Sequence, residues 1–186
     1  MSPGKTHIAG VEVRELRRLG DERGSFAETY RREWLPADAG EMVQSNLSRS
    51  HAGVLRGMHY HRRQADYWVV LEGRAFVALF DLRSGSPTRG ERLELEMDGG
   101  SPAGLYIPSG VAHGFAARTE VALLYLVDTY YRDGADEHGI AWDDPGLGVE
   151  WPDPEPVLSE RDRSNPPLAE ALAHPPEWVD RPAGRA

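Results

Sequence analysis

The sequence predicts an all-β protein whose strands form a jelly-roll barrel with short peripheral helices. Four short runs rich in β-branched and aromatic residues occupy the middle of the chain, at 67–71, 75–80, 104–107 and 121–127. Turns containing glycine or proline separate these runs, at 72–73, 84–87, 98–102 and 108–110. Because no helical segments alternate with the strands, many short strands in a barrel or sandwich are favoured over a parallel α/β sheet.

The flanking regions add further strands and short helices. Residues 11–16 and 25–30 alternate apolar with polar side chains, which predicts two strands. Short helices are expected at 32–37 and 167–173, and the proline-rich, charged end after about residue 175 is expected to be loose. A chain of 186 residues can bury one full core, so residues 1–186 are expected to form a single domain.

The composition excludes several classes of protein. The chain has no cysteine, which rules out disulfides, thiolate nucleophiles and zinc–thiolate sites. Its first residues lack the apolar core of a signal peptide, and no run approaches the roughly 18 apolar residues of a membrane helix, so a cytoplasmic protein with no membrane partner is expected. The formal net charge of −9 argues against nucleic-acid binding, although clustered arginines could still hold an anionic small molecule.

Two motifs bring histidines and a carboxylate to the mouth of the predicted barrel. The chain resembles the two-part pattern of the cupins, GxxxxxHxHxxxxExxxxxxG at 53–73, with aspartate in place of glutamate, and PxGxxH at 108–113. Residues two apart in a strand point to the same face, so the two histidines of the first motif are expected to project together. Imidazoles and a carboxylate suit a divalent transition metal. This makes one alternative site a metal centre of His59, His61, Asp66 and His113.

A longer set of ordered motifs covers nearly the whole chain: DERG at 21–24, VQSN at 43–46, GVLRGMHY at 53–60, AHGF at 112–115 and LSERD at 158–162. In this order and at this spacing they resemble the dTDP-4-dehydrorhamnose 3,5-epimerases. The resemblance implies the double-stranded β-helix of the cupins and an isomerase that uses no cofactor. It also implies a dTDP-4-keto-6-deoxyhexose substrate, and a homodimer whose N-terminal strands complete the partner's sheet.

The chemistry of that family removes and returns a proton at carbons next to the ketone. Such a reaction needs a base, an acid on the opposite face and a group that stabilises the enolate oxygen. By motif position, the resemblance implies that His59 is the base, Asp162 orients it and Tyr125 donates the proton. Read on their own residues, Tyr125 could be a buried structural tyrosine and Asp162 a helix cap. Whether one or both carbons are inverted stays open.

The resemblance also implies a set of substrate-binding residues. Guanidinium groups match the geometry of phosphate oxygens, and three arginines are candidates for the diphosphate: Arg23, Arg56 and Arg161. Two aromatic side chains are candidates for stacking on thymine: Phe26 and Tyr130. Five further positions are expected to contact the nucleotide or the sugar: Glu28, Gln44, Asn46, His113 and Glu137.

The loop after His59 departs from the family pattern. Typical members have glutamine where this chain has His61, and a lysine where it has Asp66. A carboxylate opposes negative charge developing on an enolate, and each ~1.36 kcal/mol lost slows a reaction about tenfold. Arg62 or Arg63 could supply the missing positive charge. Three functions therefore stay open: an epimerase, a metal-dependent cupin enzyme, and a sugar-nucleotide-binding protein without catalysis.

Overall fold

Two antiparallel sheets face each other in the computed structural model, which describes residues 4–132 and 134–178. The strands, in chain order, are β1 (Gly4–Lys5), β2 (Glu12–Glu15), β3 (Arg18–Asp21), β4 (Gly24–Ala27), β5 (Gln44–Ser50), β6 (Leu55–Tyr60), β7 (Asp66–Glu72), β8 (Arg74–Asp81), β9 (Arg92–Asp98), β10 (Ala103–Ile107), β11 (Val111–Ala117), β12 (Val121–Val127) and β13 (His138–Gly139). The first sheet has the order β1-β2-β10-β7-β12-β5, and the second has the order β13-β6-β11-β8-β9. The predicted all-β jelly roll is confirmed.

Four short helical segments and one separate hairpin complete the fold. β3 and β4 pair only with each other and form a two-stranded hairpin outside both sheets. The helices are two 3₁₀ turns, Arg32–Trp34 and Pro145–Leu147, and two α-helices, α1 (Glu160–Arg163) and α2 (Leu168–Ala173). No helix of the described residues is long and apolar enough to cross a membrane.

The main core lies between the two sheets, because successive strand residues point to opposite faces. In β7, Trp68 and Val70 belong to this central core, whereas Tyr67 and Val69 pack in a second cluster on the outer face. Leu35, from the segment before β5, covers that outer cluster. The alternation of β7 therefore turns its even-numbered residues toward the interior of the barrel.

The outer face of the second sheet is covered by the C-terminal part of the chain. Leu168 and Ala171 of α2 are buried against Met58, Tyr60 and Phe80 of that sheet. This packing anchors the segment that leads into α2, and α1 lies within that segment. The packing of α2 on the second sheet thus holds α1 beside β6.

A β-bulge in β6 decides which of its side chains face the interior. Across the β6–β11 pair, His113 is opposite His59 and Phe115 is opposite Arg56. Two steps along β11 therefore correspond to three steps along β6, so β6 carries one extra residue, as a bulge does. Without the bulge, residues three apart would point to opposite faces. With it, Arg56 and His59 both line the cavity described below.

Glycine is required inside this bulge. Gly57 has φ +129°, and a Cβ placed there would lie 2.7 Å from Cα of Gly114 and 3.0 Å from the carbonyl oxygen of His113. A side chain at position 57 would thus collide with the backbone of the paired strand. The glycine that follows Arg56 in the GVLRGMHY motif is therefore required by the close approach of β6 and β11.

The predicted helix at 32–37 and the predicted loose end of the chain differ from the observed structure. The helix expected at 32–37 is a single 3₁₀ turn, because Pro36 restricts Leu35 to an extended backbone. At the other end, Ser84 exchanges backbone hydrogen bonds with Pro176 and Trp178, at 2.8 Å and 2.9 Å. The rest of the segment expected to be loose, residues 179–186, lies outside the described residues.

Candidate active site

A cavity of about 480 Å³ opens between the two sheets at one end of the barrel. Both sheets contribute to its walls, and loop residues 129–132 and 134–137 close one side. Its apolar lining comes from interior positions of the strands, such as Trp68, Phe115 and Leu123. Most predicted site residues also lie on this cavity: Gln44, Asn46, Arg56, His59, His113, Tyr125, Tyr130, Glu137 and Arg161.

A histidine–carboxylate pair lies at the wall formed by β6. The Nε2 atom of His59 is 2.5 Å from Oδ1 of Asp162, and the His59 side chain is 24% exposed toward the cavity. A carboxylate accepts the imidazole hydrogen, so in the neutral ring Nε2 carries the hydrogen and Nδ1 carries the lone pair. The arrangement leaves Nδ1 as the basic atom of His59.

Asp162 is held in place by helix α1. Its backbone N–H donates to Oγ of Ser159 at 3.0 Å, which makes Ser159, rather than Asp162, the N-cap of the helix. Burial by itself would raise the pKa of the Asp162 carboxyl. The hydrogen bond and positive charge of His59, with smaller contributions from Ser159 and Arg161, outweigh burial and lower that pKa below the ordinary value. Asp162 is therefore a carboxylate at neutral pH.

Tyr125 faces this pair from the other sheet. It lies on β12 of the first sheet, whereas His59 lies on β6 of the second, and both side chains line the cavity. Burial raises the pKa of the Tyr125 hydroxyl, and the charges of Asp66 and Glu137 raise it further, although Arg56 opposes them. Tyr125 thus stays protonated at neutral pH and can act as a proton donor.

A second cluster lies beside His59. One possible ligand atom from each of His61, Asp66 and His113 lies within 4.8 Å of those of the other two, and all three residues are buried. Burial is the main cause that lowers the pKa of His113 to about 4. Three residues of the four-residue alternative site are therefore together. Among the described residues, His59 is outside this group, and its Nε2 contacts Asp162 instead.

The loop that departs from the family pattern is organised by Asp136. Its carboxylate accepts hydrogen bonds from the backbone N–H groups of Arg62, Arg63 and Gln64, at 3.0, 2.9 and 3.3 Å. Its carbonyl oxygen lies 2.7 Å from Nδ1 of His61. The guanidinium of Arg62 donates to the carbonyl of His174, whereas Arg63 lines the cavity. Of the two arginines, Arg63 is the one placed to reach a ligand.

The remaining cavity residues form polar pairs suited to a nucleotide. Nε2 of Gln44 donates to Oδ1 of Asn46 at 3.0 Å. Nη1 of Arg161 lies 2.7 Å from a carboxylate oxygen of Glu137, and Nε of Arg56 donates to Oγ of Ser50 at 2.9 Å. These contacts hold two guanidinium groups at the rim of the cavity.

Three predicted residues lie elsewhere in the chain. Arg23 and Phe26 are on the exposed β3–β4 hairpin, and Glu28 follows it. The Arg23 side chain is 85% exposed and pairs with Asp21, Phe26 is 64% exposed, and Glu28 pairs with Arg31. None of the three is among the described residues that line the cavity of their own chain.

The cavity also includes residues that the sequence did not single out. They are the loop side chains Gln64, Tyr131, Arg132 and Asp136. A signal for Asp136 was present, because acidic residues often accept hydrogen bonds from turn backbone. Nothing in the sequence indicated which turn it would reach, since residues 62–64 lie more than seventy positions earlier.

Comparisons with known proteins agree with this geometry. A profile described as dTDP-4-dehydrorhamnose 3,5-epimerase matches residues 5–170. A dTDP-4-dehydrorhamnose 3,5-epimerase from Pseudomonas aeruginosa is 37% identical over 181 residues, covering 94% of this chain and 100% of the relative.

Solved structures give the same result. The epimerase RmlC from Legionella pneumophila, determined with dTDP-4-keto-L-rhamnose, has a TM-score of 0.87 and 33% identity, covering 96% of this chain and 98% of that one. The 3'-monoepimerase ChmJ from Streptomyces bikiniensis, determined with dTDP-quinovose, has a TM-score of 0.84 and 35% identity, covering 95% and 93%. With the His59–Asp162 pair facing Tyr125 in the cavity, these matches show that the chain belongs to the dTDP-4-dehydrorhamnose 3,5-epimerase family.

Proposed function

We propose that this protein is an isomerase that epimerises a dTDP-4-keto-6-deoxyhexose by removing and returning a proton at carbon next to the ketone. The observation that carries the proposal is the His59–Asp162 pair, which faces Tyr125 across one cavity in a chain of this family. A protein that only bound the nucleotide would have no need of a carboxylate-oriented base opposite a protonated tyrosine. The geometry therefore favours catalysis over binding alone.

His59 acts as the base in this mechanism. Because Asp162 accepts the Nε2 hydrogen, the lone pair of Nδ1 is available to take the proton from the sugar carbon. The Asp162 carboxylate then stabilises the imidazolium that forms, since a charge-assisted hydrogen bond is stronger than a neutral one. The lowered pKa of Asp162 supports this role, because the carboxylate stays ionised throughout.

Tyr125 returns a proton to the opposite face of the enolate. It lies on the sheet that faces His59, so the two groups approach a sugar between the sheets from opposite sides. Its raised pKa keeps the hydroxyl protonated until the carbanion forms. Both proton transfers fall on side chains of the protein and call for no organic cofactor.

The nucleotide is assigned to the polar side of the cavity. Arg56, Arg161 and the exposed Tyr130 all line the cavity, which supports assigning the two arginines to the diphosphate and Tyr130 to stacking on thymine. Gln44 and Asn46 provide amide groups for the base or the sugar. These local positive charges are compatible with a chain whose net charge is −9.

The experiment that tests this function follows exchange of sugar hydrogens with solvent. Proton NMR of dTDP-4-keto-6-deoxyglucose with the protein in deuterated water should show deuterium entering the carbons beside the ketone. His59→Gln is the sharpest variant, since its amide nitrogen can still donate to Asp162 while the basic Nδ1 is removed. Loss of a general base slows a reaction by about 10²- to 10⁴-fold, so exchange should nearly disappear.

The controls separate chemistry from binding and folding. His59→Gln should bind dTDP as tightly as the wild type, and His51→Gln, at an exposed histidine away from the cavity, should exchange normally. Undiminished exchange in His59→Gln would overturn the assignment of the base. Absence of exchange in the wild type would overturn the epimerase function.

We further propose that the protein works as a homodimer in which each β3–β4 hairpin completes the cavity of the partner. The hairpin lies outside both sheets and exposes Leu19 (49%) and Phe26 (64%), which are apolar groups suited to an interface. Arg23 and Glu28 would then meet the ligand across the interface, which accounts for their absence from the cavity of their own chain. In this assembly each chain is a single domain acting in the cytoplasm.

Mixing two defective variants tests the shared site. Arg23→Ala lacks the hairpin arginine, and His59→Gln lacks the base, so each homodimer should be impaired. After subunits exchange at random, half of the dimers are mixed and each contains one intact site, so about a quarter of the sites should be active. No recovery of activity in a sample that native mass spectrometry shows to contain mixed dimers would refute the shared site.

A further inference from the structure

Three groups in the cavity present lone pairs to one another with no hydrogen between them. Nδ1 of His61 lies 2.7 Å from the carbonyl oxygen of Asp136, and Nδ1 of His113 lies 3.0 Å from that of Val111. A carbonyl oxygen only accepts, so both Nδ1 atoms must carry hydrogen. In neutral rings, the Nε2 atoms of His61 and His113 are therefore bare acceptors. The third group is the carboxylate of Asp66.

The Asp66 carboxylate is buried beside neutral donors. It accepts hydrogen bonds from Nε1 of Trp68 at 3.1 Å and from Nε2 of Gln64 at 2.9 Å, and Asp66 is only 4% exposed. Within the described residues, its one ion-pair contact is Nε2 of His113 at 4.0 Å, beyond hydrogen-bond distance. No lysine or arginine neutralises it there. A buried carboxylate without a cation is costly, and bound metal ions commonly supply that charge.

We propose that His61, Asp66 and His113 bind one divalent first-row transition metal ion in the cavity. Two imidazole nitrogens and one carboxylate oxygen form a donor set typical of zinc and iron(II) sites. The two Nδ1–H···O=C hydrogen bonds fix the ring orientations and tautomers that present Nε2 to a metal, as the outer partners of metal-binding histidines do.

The distances are close to those of a metal site. Ligand atoms about 2.1 Å from a tetrahedral ion lie about 3.4 Å from one another. The observed separation between His113 Nε2 and Asp66 Oδ2 is 4.0 Å, and all three ligand atoms lie within 4.8 Å of each other. Side-chain rotations that bring the ligand atoms inward by ~1 Å would complete the coordination sphere.

The ion would serve as a Lewis acid for the proposed epimerisation, and this role rests on the proposed function. Three protein ligands leave at least one position open to the cavity, where the ketone oxygen of the sugar can bind. His113 and His59 are cross-strand partners, so the ion lies on the same wall as the base. It would neutralise the enolate oxygen while Nδ1 of His59 removes the adjacent proton. Because His59 is not one of the three grouped ligand residues, the base and the metal site use different side chains.

Metal titration without substrate tests the site directly. Chelator-treated, dialysed full-length protein is titrated with ZnCl₂ by calorimetry, and CoCl₂ is used to record visible absorption of the bound ion. His61→Asn and His113→Asn are matched variants, because asparagine can keep the Nδ1-like donor to the carbonyl but lacks Nε2. Asp66→Asn removes the charge at nearly constant shape, and His51→Asn is the control at an exposed histidine.

The wild type and His51→Asn should bind one equivalent of zinc, and each ligand variant should bind it about 100-fold more weakly or worse. No saturable binding by the wild type would overturn the site, and would mean that a shared proton holds the cluster together. Binding that survives all three substitutions would also overturn it. Thermal unfolding checks that the variants are folded, and the histidine variants decide the question if Asp66→Asn is not.

Solvent exchange by stripped and zinc-reloaded protein then tests the catalytic role. Reloading should accelerate exchange at least tenfold in the wild type and not in His61→Asn. Equal exchange with and without metal would refute the Lewis-acid role. Ligand-dependent zinc binding without any exchange would leave the metal site standing and overturn the proposed epimerase function instead.

Discussion

Replacing Asp162 by asparagine should separate the orientation of the base from its presence. Asparagine has nearly the same shape and can still accept the Nε2 hydrogen of His59, so the 2.5 Å contact can persist without its charge. What is lost is the attraction between a carboxylate and the imidazolium that forms when His59 takes the proton. The state before proton transfer, in which Nδ1 carries no proton, is affected less.

The size of the effect follows from that loss. Hydrogen bonds to charged groups contribute about 1.5–3 kcal/mol, and ~1.36 kcal/mol corresponds to a tenfold change in rate. Solvent exchange at saturating substrate should therefore slow by about 10- to 150-fold. Asp162 is buried behind His59 and is not among the described residues that line the cavity, so affinity for dTDP should be unchanged.

The assay is deuterium incorporation into dTDP-4-keto-6-deoxyglucose followed by proton NMR, with dTDP affinity measured by calorimetry. Asp143→Asn, at an exposed carboxylate, is the control and should behave as the wild type. Exchange by Asp162→Asn within twofold of the wild type would refute the view that Asp162 stabilises the imidazolium. An equal loss of dTDP affinity would show that the substitution disturbs binding rather than proton transfer.

Three further predictions concern the fold. Asp81 is fully buried and lies 2.8 Å from both Nε and Nη2 of Arg83, so Asp81→Asn should lower the free energy of unfolding by about 3–5 kcal/mol in chemical denaturation. Burial raises the pKa of Asp81, but hydrogen bonds from Arg83 and its neighbours lower it more, to below 3.8. The stability that Asp81 contributes is thus full above pH 3.8 and lost as pH falls through its folded pKa, so wild-type stability should fall more steeply below pH 3.8 than that of Asp81→Asn. Gly57→Ala should lower the free energy of unfolding by about 2–6 kcal/mol, because the alanine would be strained and would collide with Gly114. Gly90→Ala, at φ +84° with open space around it, should lower it by only about 1–2 kcal/mol. Equal losses in chemical denaturation would refute the steric argument.

The jelly roll was predictable because its signals are local. A strand such as β12 is a continuous apolar run between turns, and the segment around β2 alternates apolar with polar residues, so each can be recognised in a short window. The family motifs around His59 are local in the same way. The 3₁₀ turn at 32–34 shows the limit of this reading, since one proline ended a segment that otherwise suited a helix.

The active site depends on contacts that no local window contains. His59 and Asp162 are 103 residues apart, and they meet because the C-terminal segment with α2 packs on the second sheet. Arg56 and His59 share a wall because of a bulge, which strict alternation does not predict. The directions of the Arg62 and Arg63 side chains likewise depend on the hydrogen bonds that their backbone N–H groups donate to the Asp136 carboxylate.

The sequence by itself determined the all-β class, the family and the residues that can donate or accept a proton. It could do so because side-chain chemistry and strand periodicity are properties of single residues and short segments. Only the tertiary structure decided which of those residues meet. It brought Nε2 of His59 to Asp162 and left His61, Asp66 and His113 as a separate group, because contacts between distant segments follow from how the sheets and the C-terminal segment pack. That arrangement sets the base and the proposed metal site side by side in one cavity.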